Sequence, residues 1–429
     1  MSALAPLSLG IDVGTSGVRT AVLDPGGRVV STARAPHPAP RAAAVDARDW
    51  WSAVATCITA QTAALRDLGR SGSDIATLAV DATSGSMVLT DTALAPVGPA
   101  LMYNSKGFDA EAARIAAHCP EADHITQGSN SALARALRLR AAAERAPAHL
   151  LHQADYIAAK LTGQGGRSDH TNALKTGFDP EGSHWPDWIE ALLDPELLPR
   201  VDAPGTHWGP LDPNVAQALG LAPTAIVHAG TTDSNAAFLA TAPLKVGTAV
   251  TSIGSTLALK LVSDKRVDLP AMGLYSHRLG DAWLVGGASN TGGAVLAHFF
   301  SGEEMTRLSA AMDVTQPTGL DYHPLLTAGE RFPTNDPTLA PRLSPRPASD
   351  VTFLQGMFEG IARIEAQGYA LIAQHGGPRP TELFTAGGAS RNPALTAIRE
   401  RALGIKVSTA PETEASIGAA KLPGLVRQA

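Results

Sequence analysis

The chain has 429 residues, of which 44% are hydrophobic and 17% are charged, and its formal net charge is −6. This length and composition exclude a disordered or fibrous protein and predict two or three globular domains. The acidic balance, together with the lack of a Lys/Arg-rich run, argues against a nucleic-acid-binding protein.

The segment from Leu9 to Asp24 reads LGIDVGTSGVRTAVLD and predicts an antiparallel hairpin. Two apolar runs flank a turn that is too short to contain a crossover helix. Asp12 lies inside the first run, where a buried charge without a partner is costly. It is either a turn-forming residue at a strand end or a carboxylate that faces a metal or phosphate. The turn, Gly14-Thr15-Ser16-Gly17, offers backbone N–H groups and two hydroxyls that can surround a phosphate.

The next elements alternate between strands and helices. A third strand is expected over 28–33, and Asp46 begins a helix in which apolar residues recur at helical spacing. The apolar run 75–80 predicts a strand that leads into Asp81 and the hydroxyl-rich turn Ala82-Thr83-Ser84-Gly85-Ser86, followed by a short strand over 87–90. Asp81 is therefore a second carboxylate at the end of a buried strand.

The middle of the first half is predominantly helical by composition. Within 109–160 the arginines 135, 138, 140 and 145 are expected on a solvated helix face. His149 and His152 are three residues apart, but no further ligand is near in sequence, so no metal is assigned to them. The polar segment 163–176 is expected to be either a surface loop or a substrate-facing cluster that includes Asp169, His170, Asn172 and Lys175.

The hairpin pattern returns in the second half of the chain. An apolar strand over 225–230 leads to Thr231-Thr232-Asp233-Ser234, with a helix expected over 235–241. The run 250–262, VTSIGSTLALKLV, then aligns Ile253-Gly254-Ser255-Thr256-Leu257 with residues 13–17 of the first hairpin. Two copies of a strand, a glycine-hydroxyl turn and a second strand indicate an internally duplicated protein.

Further strands are expected over 283–288, over 382–385 and near Val407, with helices over 351–375 and from Ala415. The alternation predicts an α/β protein with mixed sheets. Ligands in such sheets collect at the carboxyl ends of strands. We therefore expect Asp12, Asp81 and Asp233 to lie near one another, in a cleft between the two halves.

Carboxylates combined with hydroxyl- and glycine-rich turns suit phosphoryl transfer, in which positioning and charge stabilisation provide most of the catalysis. The sequence has no Gly-Lys dipeptide and no Gly-x-Gly-x-x-Gly. These absences exclude a Walker A loop, a dinucleotide fingerprint and a protein-kinase glycine loop. The absence of Gly-x-Ser-x-Gly argues against a serine hydrolase.

Six stretches resemble the FGGY carbohydrate kinases and occur in the order found in that family, from residue 9 to about residue 420. They read LGIDVGTSGVRTAVLD, HAGTTDSNAAF, VTSIGSTLALK, GGASNTGG, GERFP and TAGGASRN. The resemblance implies an α/β fold of two actin-like (ribonuclease H-like) domains with mixed sheets flanking a nucleotide cleft. It implies a sugar-binding domain over 1–237 and a nucleotide-binding domain over 238–429, whose last helix is free to pack on the first domain.

The same resemblance implies the site residues and the cofactors ATP and Mg²⁺. Asp233 matches the catalytic base, and Asp12 matches the carboxylate near Mg²⁺ and the transferred phosphate. Sugar contacts are implied for Asp12, Thr15, Ser16, Gly17, Ser84 and Asp233. Nucleotide contacts are implied for Gly254, Ser255, Thr256, Gly293, Gly387, Gly388 and Asn392. Without the resemblance, Asp233 is a carboxylate that follows a strand at a helix start, where an ordinary N-cap is the alternative.

The sequence departs from the family at one position that bears on substrate. Many members have Trp-x-Asp-x-Arg where this chain reads Tyr103-Asn104-Ser105-Lys106. The stretches DATSGS, YN, SDHTNALKTGF and GTTDS instead resemble a cyanobacterial and plant subgroup of pentulose kinases. The substrate implied by that resemblance is D-ribulose, with D-xylulose as the alternative. A non-catalytic sugar or nucleotide sensor would be expected to lose Asp233 or to gain a DNA-binding module. We therefore expect a monomeric or homodimeric sugar kinase without nucleic-acid or membrane partners; Cys57 and Cys119, far apart in sequence, favour the cytoplasm.

Overall fold

A computed structural model describes residues 5–38 and 44–425. The chain forms two compact units. The first comprises 1–240, 277–280 and 414–429, and the second comprises 241–276 and 281–413. In the described part of the chain, no helix is long and apolar enough to cross a membrane.

The strands of the described residues all begin or end close to glycine, proline or short polar turns. They are β1 (Leu7–Val13), β2 (Gly17–Leu23), β3 (Val29–Pro36), β4 (Ile75–Ala82), β5 (Met87–Thr90), β6 (His149–His152), β7 (Arg167–Asp169), β8 (Arg200–Asp202), β9 (His207–Pro210), β10 (Ile226–Thr232), β11 (Thr248–Ile253), β12 (Leu257–Ser263), β13 (Leu274–Leu279), β14 (Ala282–Ser289), β15 (Glu382–Ala386) and β16 (Val407–Thr409).

The helices vary from a single turn to about seven turns. They are α1 (Ala47–Asp67), α2 (Asp109–His118), α3 (Ala132–Ala142), α4 (Gln153–Thr162), α5 (His170–Ala173), α6 (Asp187–Glu190), α7 (Pro213–Leu219), α8 (Asp233–Thr241), α9 (Gly293–Phe299), α10 (Gly302–Ala310), α11 (Asp350–Gln374), α12 (Pro393–Leu403) and α13 (Ala415–Lys421). Asp46 caps α1 as expected, since its side chain accepts a hydrogen bond from the Arg48 amide.

The first sheet has the order β3-β2-β1-β4-β10-β9. Strands β1, β2 and β3 are antiparallel neighbours, whereas β1 pairs with β4, and β4 with β10, in parallel. The parallel pairing brings the carboxyl ends of β1, β4 and β10 to one edge of the sheet. The buried faces of these strands are lined by Leu, Ile, Val and Ala side chains, which form the main core of the unit.

The C-terminal helix α13 packs on the first sheet, within the first unit. The Ser8 hydroxyl donates to the Ala420 carbonyl at 2.6 Å, and the Lys421 ammonium donates to the Leu239 carbonyl at 2.8 Å. A Cβ atom on Gly10 would lie 1.8 Å from the Ser416 carbonyl oxygen. Glycine at this position therefore allows the helix to lie directly against β1.

The second sheet has the order β13-β14-β12-β11-β15-β16. Strand β11 is antiparallel to β12 and parallel to β15. Apart from the edge strands β9 and β13, the two sheets have the same arrangement. Each has three antiparallel neighbours, β1-β2-β3 in the first sheet and β11-β12-β14 in the second. Two further strands lie on the other side of the first of these, β4 and β10 beside β1, and β15 and β16 beside β11. Strands β1 and β11 end at Val13 and Ile253, and β2 and β12 begin at Gly17 and Leu257. The predicted internal duplication is thus confirmed in strand order and in turn position.

Several sequence predictions for the first unit are wrong. Arg135 was expected on a solvated face but is buried, because its guanidinium group donates to backbone carbonyls of neighbouring loops. The segment 163–176 is not a surface loop: β7 and α5 lie within it, and the side chains of 168–173 are buried. The short strand β6 was missed, because its partner β5 is about sixty residues earlier in the chain.

Candidate active site

Three carboxylates lie at the carboxyl edge of the first sheet. Asp12 near the end of β1 and Asp81 near the end of β4 are direct partners in the parallel ladder, so their side chains emerge side by side. Asp233 follows the last residue of β10, which pairs with Ala82 of β4. The structure therefore brings together the three aspartates that the sequence predicted to be neighbours.

Asp12 is buried and has one cationic neighbour. The Arg19 guanidinium Nη1 lies 3.4 Å from Asp12 Oδ2. Burial raises the pKa of Asp12 to about 6; the charge of Arg19 opposes this rise and the charge of Asp233 adds to it. The pair with Arg19 is long, and Arg19 itself is half-exposed, so it compensates the buried charge only in part.

Asp81 is completely buried beside Asp12. Burial raises its pKa well above the usual range, and the negative charges of Asp12 and Asp233 raise it further. Among the described residues, neither Asp81 oxygen has a hydrogen-bond partner, and the Asp12 carboxyl is its neighbour in the ladder. Such a carboxylate in the core requires a functional explanation, because packing alone does not favour it.

Asp233 is partly exposed and is the first residue of α8. Its Oδ1 atom accepts a hydrogen bond from the Ser234 amide at 2.6 Å. Asp233 is thus the first residue of the helix, whereas an N-cap is the residue before it. A partly exposed carboxylate at this place can still meet a ligand.

The turn of the first hairpin presents its hydroxyls to solvent. Thr15 and Ser16 are exposed, while the Gly14 amide donates to the Gly17 carbonyl at 2.9 Å. Gly17 has a packing role, since a Cβ atom there would lie 2.4 Å from the Ala35 carbonyl oxygen in β3. Close contact between β2 and β3 accounts for this glycine without any sugar contact.

Ser84 is half-buried in the turn after β4, and the residues around it form a polar network. Gln153 Oε1 accepts from the Thr83 hydroxyl at 2.6 Å, and Arg135 Nε donates to the Gly85 carbonyl at 2.9 Å. Arg135 Nη1 also donates to the Tyr103 carbonyl at 3.0 Å.

Arg135 therefore joins the Ser84 turn to the segment 103–106, where the sequence departs from the FGGY pattern. Burial lowers the pKa of Arg135 to about 10, so the group remains charged at neutral pH. Sequence reasoning missed both Arg135 and Gln153. Only their contacts with turns that are distant in the sequence show that they belong to this network.

In the second unit, the turn 254–256 is exposed and is anchored to the start of α9. The Gly293 amide donates to the Gly254 carbonyl at 2.8 Å, and the Ala294 amide donates to the Ser255 carbonyl at 3.0 Å. A Cβ atom on Gly293 would lie 2.5 Å from the Gly254 oxygen, so glycine is needed for this contact.

A cavity of about 690 Å³ opens beside this turn. It is bordered mainly by apolar side chains from α9, α10, α11 and α12, and this volume is typical of a small-molecule site. Of the predicted nucleotide contacts, five line it and two, Thr256 and Gly387, do not. The five that line it are Gly254, Ser255, Gly293, Gly388 and Asn392.

Gly388 and Asn392 contribute differently to the cavity wall. A Cβ atom on Gly388 would meet no atom within 4 Å, so a larger side chain would project into open space. Asn392 caps α12: its Oδ1 accepts from the Ala394 and Leu395 amides, and its Nδ2 donates to the Ser309 hydroxyl at 2.8 Å. Asn392 thereby joins α10 to α12 at the cavity.

Comparisons with known proteins agree with this geometry. The family model described as FGGY family of carbohydrate kinases, N-terminal domain, matches residues 7–133, and the corresponding C-terminal domain model matches residues 245–424. The xylulose kinase of Streptomyces rubiginosus is 29% identical over 281 residues, covering 62% of this chain but only 56% of that protein. The chain therefore matches little more than half of that relative's length.

Two further proteins match over most of the chain. The xylulose kinase of Escherichia coli K12 is 24% identical over 425 residues, covering 90% of this chain and 82% of that protein. The crystal structure of xylulose kinase from Rhodospirillum rubrum superposes with a TM-score of 0.84 at 19% identity, covering 98% of this chain and 89% of that one. The predicted two-domain α/β fold with mixed, actin-like sheets is confirmed. Because the two family models together cover most of its length, the chain belongs to the FGGY family of carbohydrate kinases.

Proposed function

We propose that this protein transfers the γ-phosphoryl group of ATP to a hydroxyl group of a ketopentose. The observation that carries the proposal is the convergence of Asp12, Asp81 and Asp233 at one sheet edge in a chain of the FGGY family. Phosphoryl transfer needs groups that position the two substrates and stabilise charge, which these residues can provide.

Asp233 is the proposed general base. It is partly exposed at the end of β10, so a sugar hydroxyl can reach it, whereas Asp81 is completely buried. Its Oδ1 is engaged by the Ser234 amide, which fixes the direction of the carboxylate. In this role Asp233 orients the attacking hydroxyl and accepts its proton as the phosphoryl group is transferred.

Asp12 is the proposed carboxylate for Mg²⁺. A divalent cation fits this position, because the Asp12 carboxyl lies beside an Asp81 carboxyl whose oxygens lack donors. Among the described residues, no group of three or more His, Cys, Asp or Glu side chains forms a complete metal site. In proteins, Mg²⁺ is usually held by one or two carboxylates together with the substrate phosphates. When bound, the ion would neutralise charge on the phosphates.

The cavity of the second unit is the proposed adenosine site, with the turn 254–256 beside it for the phosphates. Apolar walls and the small Gly388 suit a planar base, and the exposed turn with its two hydroxyl residues suits phosphate oxygens. Thr256 and Gly387 stay predicted contacts that lie next to lining residues in sequence.

D-xylulose is the first candidate substrate, because the relatives from Streptomyces rubiginosus and Escherichia coli are named xylulose kinases. D-ribulose is the second candidate, supported by the departure at Tyr103–Lys106 from the usual Trp-x-Asp-x-Arg. A site that hydrogen-bonds one particular hydroxyl discriminates strongly against its epimer, because misplacing that hydroxyl leaves buried polar groups unpaired.

A coupled ADP-release assay tests the proposal, with D-xylulose, D-ribulose, glycerol and D-fructose compared at equal concentrations. We expect kcat/KM for one ketopentose to exceed that for glycerol and D-fructose by at least about tenfold. A preference for D-ribulose would favour the second candidate. Activity on neither pentulose would overturn the proposed substrate class.

A further inference from the structure

The buried segment from β7 into α5 holds a hydrogen-bond arrangement that an ordinary helix cap does not explain. Asp169 ends β7 and caps α5, with Oδ1 accepting from the Thr171 amide at 2.8 Å and from the Asn172 amide at 3.1 Å. It also accepts from two side chains: the Thr171 hydroxyl at 2.5 Å and Asn172 Nδ2 at 2.6 Å. The sequence predicted Asp169 as a possible substrate contact, but both of its carboxylate oxygens accept hydrogen bonds from within the protein.

The Thr171 hydroxyl continues this network to β10. Its oxygen lies 2.9 Å from the Thr231 hydroxyl and accepts a hydrogen bond from the Thr232 amide at 3.2 Å. A hydroxyl has one proton and two lone pairs. With the proton of Thr171 donated to Asp169, both lone pairs are available to the amide of Thr232 and the hydroxyl of Thr231.

The two residues that Thr171 holds come directly before Asp233. Thr231 and Thr232 are completely buried at the end of β10. The register of β10 against β4 is irregular between His228 and Thr231, so ladder pairing is interrupted just upstream. The Thr171 hydroxyl supplies an additional anchor where the strand delivers Asp233 to α8.

We propose that Thr171, itself oriented by Asp169, is a positioning residue that fixes the backbone carrying Asp233. This inference rests on the proposed function, in which Asp233 is the general base. A displacement of about 1 Å at a catalytic group can cost on the order of a hundredfold in rate. The Thr171 hydroxyl acts through the main chain of residues 231–232 and touches no reacting atom.

Thr171→Val tests this role, because valine matches the shape of threonine and removes only the hydroxyl group. We expect kcat with the preferred ketopentose to fall about ten- to a hundredfold, while KM for ATP stays within about twofold. Thr171→Ser, which keeps the hydroxyl, should restore most of kcat. Hydrogen exchange should be faster over 228–236 in Thr171→Val than in the wild type, a readout that does not depend on activity.

Thr62→Val is the matched control, because Thr62 is a buried threonine of α1 whose hydroxyl bonds only within its own helix. It should leave kcat and the exchange of 228–236 unchanged. If Thr171→Val does not fold, Asp169→Asn carries the same expectation for kcat and for exchange.

The outcomes separate this inference from the proposed function when Asp233→Ala is assayed in parallel. An inactive Asp233→Ala beside a Thr171→Val enzyme with wild-type kcat would overturn the positioning role alone. A Thr171→Ser enzyme as impaired as Thr171→Val, or unchanged exchange over 228–236, would also overturn it. An active Asp233→Ala would overturn the proposed base and the positioning role together.

Discussion

Asp12 and Asp81 are the residues that packing alone explains least. Both are carboxylates in a sheet interior, and the Arg19 guanidinium lies as far as 3.4 Å from Asp12. Burial raises the pKa of Asp12 to about 6 and that of Asp81 well above its usual range. Such an arrangement costs folding stability at neutral pH, a cost typical of functional sites.

Asp12→Asn should therefore stabilise the protein in a pH-dependent way. The pKa of Asp12 rises from 3.8 to about 6 in the folded state, so folding favours the protonated form. Below about pH 4 both states are protonated and the substitution should change little. As pH rises from about 4 to about 6 the wild type progressively loses stability that the variant keeps, and above about pH 6 the difference levels off at up to about 3 kcal/mol.

Urea unfolding of the wild type and Asp12→Asn at pH 4.5 and pH 7.5 measures this difference. The comparison within each pH cancels effects common to both proteins. A stability difference that is the same at both pH values, or larger at pH 4.5, would contradict the assigned cost of the buried charge.

Sequence patterns predicted the aspartates but not the residues that support them. Asp12 and Asp81 lie near the ends of apolar strands and Asp233 directly follows one, which is a local signal. Arg135 and Arg138 have the same chemistry and lie on the same helix. The first is buried and donates to carbonyls of other segments, whereas the second is partly exposed and pairs with the buried Glu111. Only long-range contacts distinguish the two, so spacing along the chain could not separate them.

The two hairpins are the elements that the sequence predicted best. Their turns interrupt strong apolar runs with glycine and hydroxyl residues, which is a local signal of high specificity. Helices α9, α10 and α12 were missed: α9 is short and follows the glycine-rich run 286–293, and α12 follows a proline. These missed helices line the cavity, so the adenosine site was predicted from its glycine turns and not from its walls.

Gly388→Leu should weaken ATP binding while the fold stays intact. A Cβ atom at this glycine meets no atom within 4 Å, and the residue lines the cavity, so the added side chain would occupy space proposed for the nucleoside. Titration calorimetry with ATP should show at least about tenfold weaker binding, which corresponds to about 1.4 kcal/mol.

Gly404→Leu is not a suitable control for this variant, because Gly404 has a positive φ of 70°. Gly98→Leu is better matched, since a Cβ atom there also meets no atom within 4 Å, its φ is not positive, and Gly98 does not line the cavity. Unchanged ATP affinity in Gly388→Leu would remove the adenosine assignment.

A buried ion pair joins α11 to α12 and contacts the second sheet. Arg399 of α12 and Glu365 of α11 are completely buried and joined by two hydrogen bonds of 2.7 Å. Glu365 also accepts from the Thr251 hydroxyl in β11 at 2.5 Å, and Arg399 donates to the Thr385 hydroxyl in β15 at 2.8 Å. The pair thereby connects the two strands that precede the turn 254–256 and Gly387.

Arg399→Met should destabilise the protein by about 3–5 kcal/mol, because it leaves the Glu365 carboxylate buried without its cation. The double variant Arg399→Met/Glu365→Met removes both charges and should be more stable than the single variant. Thermal or urea unfolding of the three proteins measures this. A single variant within about 1 kcal/mol of the wild type, or a double variant less stable than the single one, would contradict the interpretation.

For the molecule as a whole, duplication is the organising feature. Each unit contains a sheet whose first hairpin turns at a glycine-hydroxyl segment, 13–17 in the first and 253–257 in the second. In the first unit carboxylates lie beside the hairpin, whereas in the second unit an apolar cavity lies beside it. This division of chemistry agrees with a sugar site in one unit and a nucleotide site in the other, which is the arrangement that we propose.

The most direct test of this account is formation of a pentose phosphate by the purified wild type and by Asp233→Ala. Both proteins would be incubated with ATP, Mg²⁺ and D-xylulose or D-ribulose, and the product followed by phosphorus NMR. We predict a sugar phosphate ester with the wild type and a rate lower by about 10²–10⁴ with the variant, which should still fold and bind ATP. No ester with either pentulose, or equal rates for the two proteins, would contradict the account.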